Sequence, residues 1–204
     1  MQAQTREPTS GLPGRAVPGT GSATLSPGSA SNKTIDNEIK AVPAQCTHQT
    51  IGTATLNGSL QIATPKTGDV IPGAKQITRQ GTEIIQAAPQ VRGSYKNVAP
   101  DLKIWSLTYS PATNRFYPQM GIDVRDPAQG QFQTETALVG QSGDSLEIVV
   151  VITDGNTSQF LASKKIEEEN DAEAGHRGLT VKDLANDGLR LSEKACVTVG
   201  IVHG

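Results

Sequence analysis

Histidine and cysteine are the side chains of this chain with the widest chemical range, and the sequence contains three histidines and two cysteines. Acid–base catalysis and metal binding both need several such side chains in one place, usually recognisable as a short motif. His48, His176 and His203 have no partner at the spacing of a metal-binding motif. No Gly-x-Ser-x-Gly elbow marks a nucleophilic serine. The sequence therefore predicts no catalytic residue, no metal site and no cofactor.

The two cysteines, Cys46 and Cys196, lie near the two ends of the foldable part of the chain. First and last strands of a sandwich are often neighbours, so a Cys46–Cys196 disulfide is one interpretation. Two unpaired thiols are the favoured interpretation, because no signal peptide precedes the domain. A zinc site is the least favoured, since neither cysteine belongs to a Cys-x-x-Cys pair and His48 is the one nearby histidine.

Four aromatic residues, Trp105, Tyr109, Phe116 and Tyr117, lie close together in the sequence. Exposed aromatic side chains serve as sugar platforms in carbohydrate-binding sandwiches, but Trp105 is predicted to fill the core instead. Tyr109, Phe116 and Tyr117 are the candidate binding residues. Pro118 beside them predicts the end or edge of a strand, where partner chains can add.

An acidic run extends from Glu167 to Glu173. Oxygen-rich clusters can bind Ca²⁺, but this run lacks the alternating Asp/Asn spacing and the glycine of a calcium loop. A solvated helix face is the favoured interpretation.

The composition divides the chain into two regions. Residues 1–45 are rich in Gly and Pro and nearly devoid of large apolar residues, so they are predicted to form a disordered tail that buries too little surface to fold. Residues 46–204 contain short apolar segments separated by Gly, Pro, Asn and Asp, which is typical of a β-sandwich domain. Aromatic residues are 3% of the chain, so Val, Ile and Leu must supply most of the core.

Two strands dominate the pattern. In the segment 103–110, Trp105, Leu107 and Tyr109 alternate with hydroxyl residues, which predicts a half-buried strand. The segment 146–153 is almost continuously apolar and predicts a central strand that is covered on both faces. Further strands are predicted at 56–62, 82–85, 91–98, 115–119, 122–124, 132–138 and 195–202.

One helix is predicted, over residues 157–170. Phe160, Leu161 and Ile166 are expected on its buried side, with lysines and glutamates facing water. The order of elements predicts an all-β fold, an antiparallel β-sandwich with this helix before the last strand.

Charge and hydropathy exclude two classes of partner. The formal net charge of −2 argues against a general nucleic-acid binder, which needs a clustered excess of Lys and Arg. No segment approaches the roughly 18 apolar residues that span a bilayer. Without a signal peptide the default expectation is cytoplasmic, with surface or particle association as the alternative.

Four short segments and one glycine resemble a known family: 93–98, 104–107, 117–119, Gly140 and 146–152. Together they are similar to a family of bacterial immunoglobulin-like β-sandwich domains of unassigned role, over about residues 58–203. Domains of that family are often appended to larger proteins and have a short helix after the penultimate strand. The resemblance implies an immunoglobulin-like fold and an accessory or recognition role, because the shared residues are core and turn positions.

The expected function is therefore a non-catalytic binding or interaction module that recognises a protein or a glycan through loops or an edge strand, rather than an enzyme. The alternative is a structural or assembly subunit of a surface or particle-associated array. The sequence leaves the ligand and the oligomeric state open.

Overall fold

The computed structural model describes residues 45–78, 81–170, 177–186 and 188–204. The predicted disordered tail lies outside the described residues, except for Gln45. In chain order the elements are β1 (Ser59–Thr64), β2 (Val70–Ile77), β3 (Glu83–Ala87), β4 (Gln90–Lys96), β5 (Lys103–Ser110), β6 (Arg115–Asp123), β7 (Gln129–Glu135), β8 (Leu138–Gly140), β9 (Ser145–Thr153), α1 (Gly155–Asn170), α2 (Val181–Leu184) and β10 (Leu191–His203).

The smaller sheet is antiparallel and has the strand order β1–β4–β7. In β4 the side chains of Val91 and Tyr95 are buried while the strand's end residues are exposed, as the alternating sequence predicts. Gly93 between them is needed for the close approach of β1. A Cβ at that position would lie 2.2 Å from the carbonyl oxygen of Gln61 and 2.4 Å from the ring of Phe132.

The larger sheet has seven strands in the order β6–β5–β9–β10–β2–β3–β8. β9 lies between β5 and β10, and every residue from 146 to 153 is buried, which confirms the predicted central strand. One pair departs from the expected antiparallel arrangement. β2 runs parallel to β10. The chain leaves the smaller sheet at the turn 65–69 and enters the larger sheet beside β10, running in the same direction as β10.

One hydrophobic core lies between the two sheets. There Leu60, Tyr95 and Phe132 from the smaller sheet pack in one cluster with residues of the larger sheet such as Ile104 and Ile148. Two packed sheets of short strands confirm the predicted all-β, sandwich-like fold.

A second core covers the opposite face of the larger sheet, beneath the helices. Trp105 is buried as predicted, but it belongs to this second core, and its Nε1–H donates to Ser158 Oγ of α1 at 2.9 Å. Because helices and the other sheet cover both faces of β5, the prediction of a half-buried strand is wrong. Ser106 and Thr108 are buried and are paired with Thr136 Oγ1 and the Ala137 carbonyl, respectively.

The predicted helix is confirmed as α1. Asp154 begins it by accepting a hydrogen bond from the backbone N–H of Thr157 at 2.9 Å. Leu161 is fully buried, but Ile166 is 55% exposed, so its predicted burial is wrong. The two residues are five positions apart, which places them about 140° apart around the helix. The short α2, which was not predicted, begins with a capping box of Thr180 and Asp183.

β6 forms one edge of the larger sheet, as Pro118 predicts. The pairing with β5 shifts register beside Pro118, where Gln119 is the extra residue, and the strand then continues to Asp123. The separate strand expected at 122–124 is therefore the end of β6. The segment expected as one strand at 132–138 divides instead between β7 and β8.

Candidate functional site

A segment just before β1 lies across the helix-side face of the larger sheet. We call residues 45–53 the strap. Its far end forms a bridge from Gly52 to Ser192, and the N–H of Thr53 donates to the Leu191 carbonyl at 3.0 Å. Its near end is joined to β10 by a disulfide between Cys46 and Cys196. The disulfide contradicts the favoured interpretation of two free thiols, because the strap brings Cys46 onto the face where Cys196 lies.

His48 of the strap bridges two carboxylates of the sheet beneath it. Its Nδ1 lies 2.5 Å from Glu147 Oε2 on β9, and its Nε2 lies 3.0 Å from Glu193 Oε2 on β10. The side chains of His48 and Glu147 are 1% and 0% exposed. A buried carboxylate needs such partners, because its desolvation is otherwise costly.

Thr47 completes the hydrogen bonding of Glu147. Its backbone N–H and its hydroxyl both donate to Glu147 Oε1, at 2.5 and 2.7 Å. The N–H of Ile51 donates to Glu193 Oε2 at 3.0 Å. Each carboxylate therefore fixes both the imidazole and the backbone of the strap.

The charges of this cluster are mutually stabilised. Burial acts to lower the pKa of His48, but hydrogen bonds and charge interactions with Glu147 and Glu193 outweigh it and raise the pKa to about 9. Burial acts to raise the pKa of Glu147, but the hydrogen bonds from His48 and Thr47 hold it below its usual value. At neutral pH the cluster is thus an imidazolium between two carboxylates.

The sulfur atoms lie next to this charged cluster. Cys46, His48, Glu147 and Cys196 each offer one ligand atom, and these four atoms all lie within 4.8 Å of one another. The Thr198 hydroxyl lies 3.7 Å from Cys46 Sγ. Sulfur, nitrogen and oxygen donors therefore converge at one place, a feature the sequence did not predict.

Two of the three candidate binding residues lie in the second core. Phe116 is 0% and Tyr109 is 6% exposed, and their rings pack against the imidazole of His48 with centroid distances of 5.3 and 5.4 Å. Neither ring is a surface platform in this structure. Both form the apolar surroundings of the buried histidine, and burial together with Glu147 raises the pKa of the Tyr109 phenol.

Tyr117, the third candidate, is half-buried and lines an open groove. The groove crosses β6 between the C-terminal end of α1 and the β7–β8 connection, and its volume is about 680 Å³. Met120 and Val139, which are 48% and 42% exposed, add apolar surface to it. The groove is further lined by Thr108, Ser110, Thr113, Pro118, Gln119, Glu135, Ala137, Lys165, Glu168 and Glu169.

Carboxylates predominate among the charged residues of this groove. Among the described residues, Lys165 is the one cation in its lining, and it forms an ion pair with Glu169. Burial raises the pKa of Glu168 to about 7, with repulsion from Glu167 adding to the effect and the N–H of Gly178 opposing it. Within the part of the chain that the structure describes, Glu135 and Glu168 belong to no ion pair, so these two carboxyl groups can interact with a positively charged ligand.

No protein-family model matches the chain, and no curated protein matches it.

No helix in the described residues is long and apolar enough to cross a membrane. Of the remaining two histidines, only His203 is described, and it does not join the cluster of His48. His203 is exposed at the end of β10, and His176 lies outside the described residues.

Proposed function

We propose that this chain is a non-catalytic recognition module that binds an extended segment of a partner protein in the groove between α1 and β6. The observation that carries the proposal is the apolar floor of the groove, formed by the exposed Met120 and Val139 together with the half-buried Tyr117. Apolar surface left open in a folded domain is typical of interaction sites.

The lining favours a protein segment over a glycan. Sugar platforms need flat, exposed aromatic rings, but Tyr109 and Phe116 are buried and Tyr117 is half-buried. Met120 offers instead a flexible aliphatic surface of the kind that adapts to peptide side chains. Glu135 and Glu168 favour Lys or Arg in the ligand. The expected ligand is therefore an apolar side chain flanked by basic residues.

The edge strand next to the groove supports recognition through side chains rather than through strand addition. Pro118 has no N–H to donate, and the start of β6 already forms a bridge to Leu179. The N–H of Phe116 donates to the Leu179 carbonyl at 2.8 Å. Backbone pairing by a partner is thus hindered along this part of β6.

The disulfide supports placement of the domain in an oxidising compartment or at a cell or particle surface.

The proposed recognition role agrees with the accessory or recognition role that the resemblance to immunoglobulin-like domains implies. The helix-covered face and the parallel β2–β10 pair extend beyond the two-sheet arrangement that the resemblance implies.

Selection from a displayed random peptide library tests this function. Wild-type protein should enrich peptides with an apolar residue beside Lys or Arg, and Met120→Asp should lose them. Ile77→Asp is the matched control, because Ile77 is an exposed aliphatic residue of β2 that does not line the groove. Enrichment of the same peptides by all three proteins would place binding elsewhere, and no enrichment by wild type would contradict the proposal.

A further inference from the structure

The disulfide region has the ligand set of a metal site. Cys46, His48, Glu147 and Cys196 supply two sulfurs, an imidazole and a carboxylate, with all four ligand atoms within 4.8 Å of one another. Zinc binds sulfur, nitrogen and carboxylate oxygen in a tetrahedral arrangement at distances of about 2.0–2.3 Å. We propose that these four residues bind one Zn²⁺ when the disulfide is reduced, so that the same place alternates between a covalent crosslink and a metal crosslink.

The donor types select the metal. Thiolates are soft ligands that favour zinc over calcium or magnesium, which prefer oxygen ligands alone. Four protein ligands fill the tetrahedral positions of Zn²⁺, which makes this a closed, structural type of site. Such a site would hold the strap on the sheet without performing catalysis.

The strap has contacts with the larger sheet that do not depend on the disulfide. Glu147 and Cys196 lie on adjacent strands, and Glu147 pairs in register with Thr198, two residues beyond Cys196. The strap is held separately by the Gly52–Ser192 bridge and by the N–H of Ile51 on Glu193. Reduction therefore frees two sulfurs without removing the contacts that position His48 and Cys46.

Glu193 has the position of an orienting residue. Its Oε2 lies 3.0 Å from His48 Nε2, while Nδ1 faces Glu147. A carboxylate on the far ring nitrogen fixes the tautomer and the ring orientation of a metal-bound histidine. Nδ1 is then the nitrogen that faces the metal.

Access to the site is expected from the side of the cysteines. Cys46 and Cys196 are half-buried residues, whereas the side chains of His48 and Glu147 are 1% and 0% exposed. A reductant that reaches the sulfurs is therefore a requirement of the proposal.

The exchange balances with a dithiol as the reductant. The dithiol gives two electrons to the S–S bond, which breaks into two thiolates, and becomes a cyclic disulfide while releasing two protons. Zn²⁺ binds the two thiolates, the carboxylate of Glu147 and His48, which releases one further proton from its ring. In total three protons leave for each zinc ion bound.

Metal binding to the full chain tests the proposal. The protein is reduced with dithiothreitol under nitrogen, freed of reductant, and titrated with Zn²⁺ against a coloured chelator. One equivalent should bind to the reduced protein and none with comparable affinity to the oxidised protein. Equal binding by the two forms, or no binding by the reduced form, would overturn the proposal.

Variants separate this site from binding by the thiols alone. His48→Gln and Glu147→Gln should each weaken zinc binding by more than about ten-fold, because even residues that only orient zinc ligands contribute that much. His203→Gln, at an exposed histidine outside the site, should have no effect. Unchanged affinity in His48→Gln would refute the ligand set.

Cobalt substitution gives a readout that does not depend on variants that fold poorly. Co²⁺ bound to the reduced wild-type protein should show thiolate-to-metal charge-transfer absorption and the intense visible bands of a tetrahedral ion. Weak visible bands, typical of six-coordinate cobalt, would contradict a four-ligand site.

Discussion

The Nδ1 atom of His48 lies 2.5 Å from Glu147 Oε2, in a pair whose side chains are 1% and 0% exposed. Glu147 lies on the central strand of the larger sheet and His48 lies on the strap. Their contact therefore joins two segments about a hundred residues apart in sequence, beside the disulfide that joins the strap to the neighbouring strand β10.

The first prediction concerns the stability that this pair contributes. His48→Gln leaves the buried carboxylate of Glu147 without its cationic partner, which should lower the free energy of unfolding by about 3 kcal/mol. Urea unfolding followed by tryptophan fluorescence measures the loss. His203→Gln should change the stability by less than about 0.5 kcal/mol. An equal loss of stability in both variants would show that the buried pair contributes no more to stability than the exposed His203 does.

The second prediction is a loss of stability at alkaline pH. The pKa of His48 is about 9 in the folded protein against 6.5 in the unfolded chain. Its stabilising contribution is therefore complete below pH 6.5 and is lost as the pH rises from 6.5 through 9. The midpoint of urea unfolding should fall over this interval. His48→Gln should remove most of that slope, and an unchanged slope would argue against the raised pKa.

The same cluster predicts a loss of stability in acid. Because the pKa of Glu147 in the folded protein is below its usual value of 4.5, its contribution is present above pH 4.5 and is lost as the pH falls below it. As the pH falls below 4.5, the Glu147→Gln variant should therefore lose less of its free energy of unfolding than the wild type does. The other carboxylates account for the acid dependence that remains.

The fourth prediction concerns the crosslink. The disulfide closes a loop with a sequence separation of 150, so replacing both cysteines by serine should cost about 2–5 kcal/mol of stability. Wild-type protein reduced in the presence of a metal chelator should unfold at the same urea concentration as the double variant. A reduced protein as stable as the oxidised one would show that the strap does not need the crosslink.

The fifth prediction concerns the groove. The pKa of Glu168 is about 7, so its negative charge develops as the pH rises through 7. The affinity for a Lys-containing peptide selected on the groove should rise between about pH 6 and 8. Glu168→Gln should bind with an affinity that does not change over this range. A wild-type affinity that falls with pH would contradict the role of Glu168.

Sequence patterns predicted most of the larger elements. The uninterrupted apolar segment 146–153 became the central strand, and the helix predicted at 157–170 became α1, which begins two residues earlier at Gly155. These predictions hold because the spacing of apolar residues within a segment indicates its secondary structure without knowledge of distant contacts. The patterns did not predict the helix-covered second core, since the hydroxyls of Ser106 and Thr108 look solvent-facing until their partners Thr136 and Ala137 are known.

The candidate site was less accessible to sequence reasoning. Phe116 and Tyr109 resembled surface aromatics, but their burial depends on the strap and the helices that cover that face. Glu147 was the one residue whose place in the sequence pointed to the site, since a lone carboxylate within an apolar strand must find a partner when it is buried. That its partner is His48 depends on a long-range contact, which spacing alone does not encode.

The most direct test of the account is a map of the binding surface by nuclear magnetic resonance. Amide chemical shifts of the uniformly labelled protein are followed while the peptide selected on the wild-type protein is added. We predict that the perturbed amides cluster around Tyr117, Met120 and Val139, and that those of the β2 segment near Ile77 remain unchanged. Perturbations confined to the loops or edges away from α1 and β6 would contradict the proposed recognition groove.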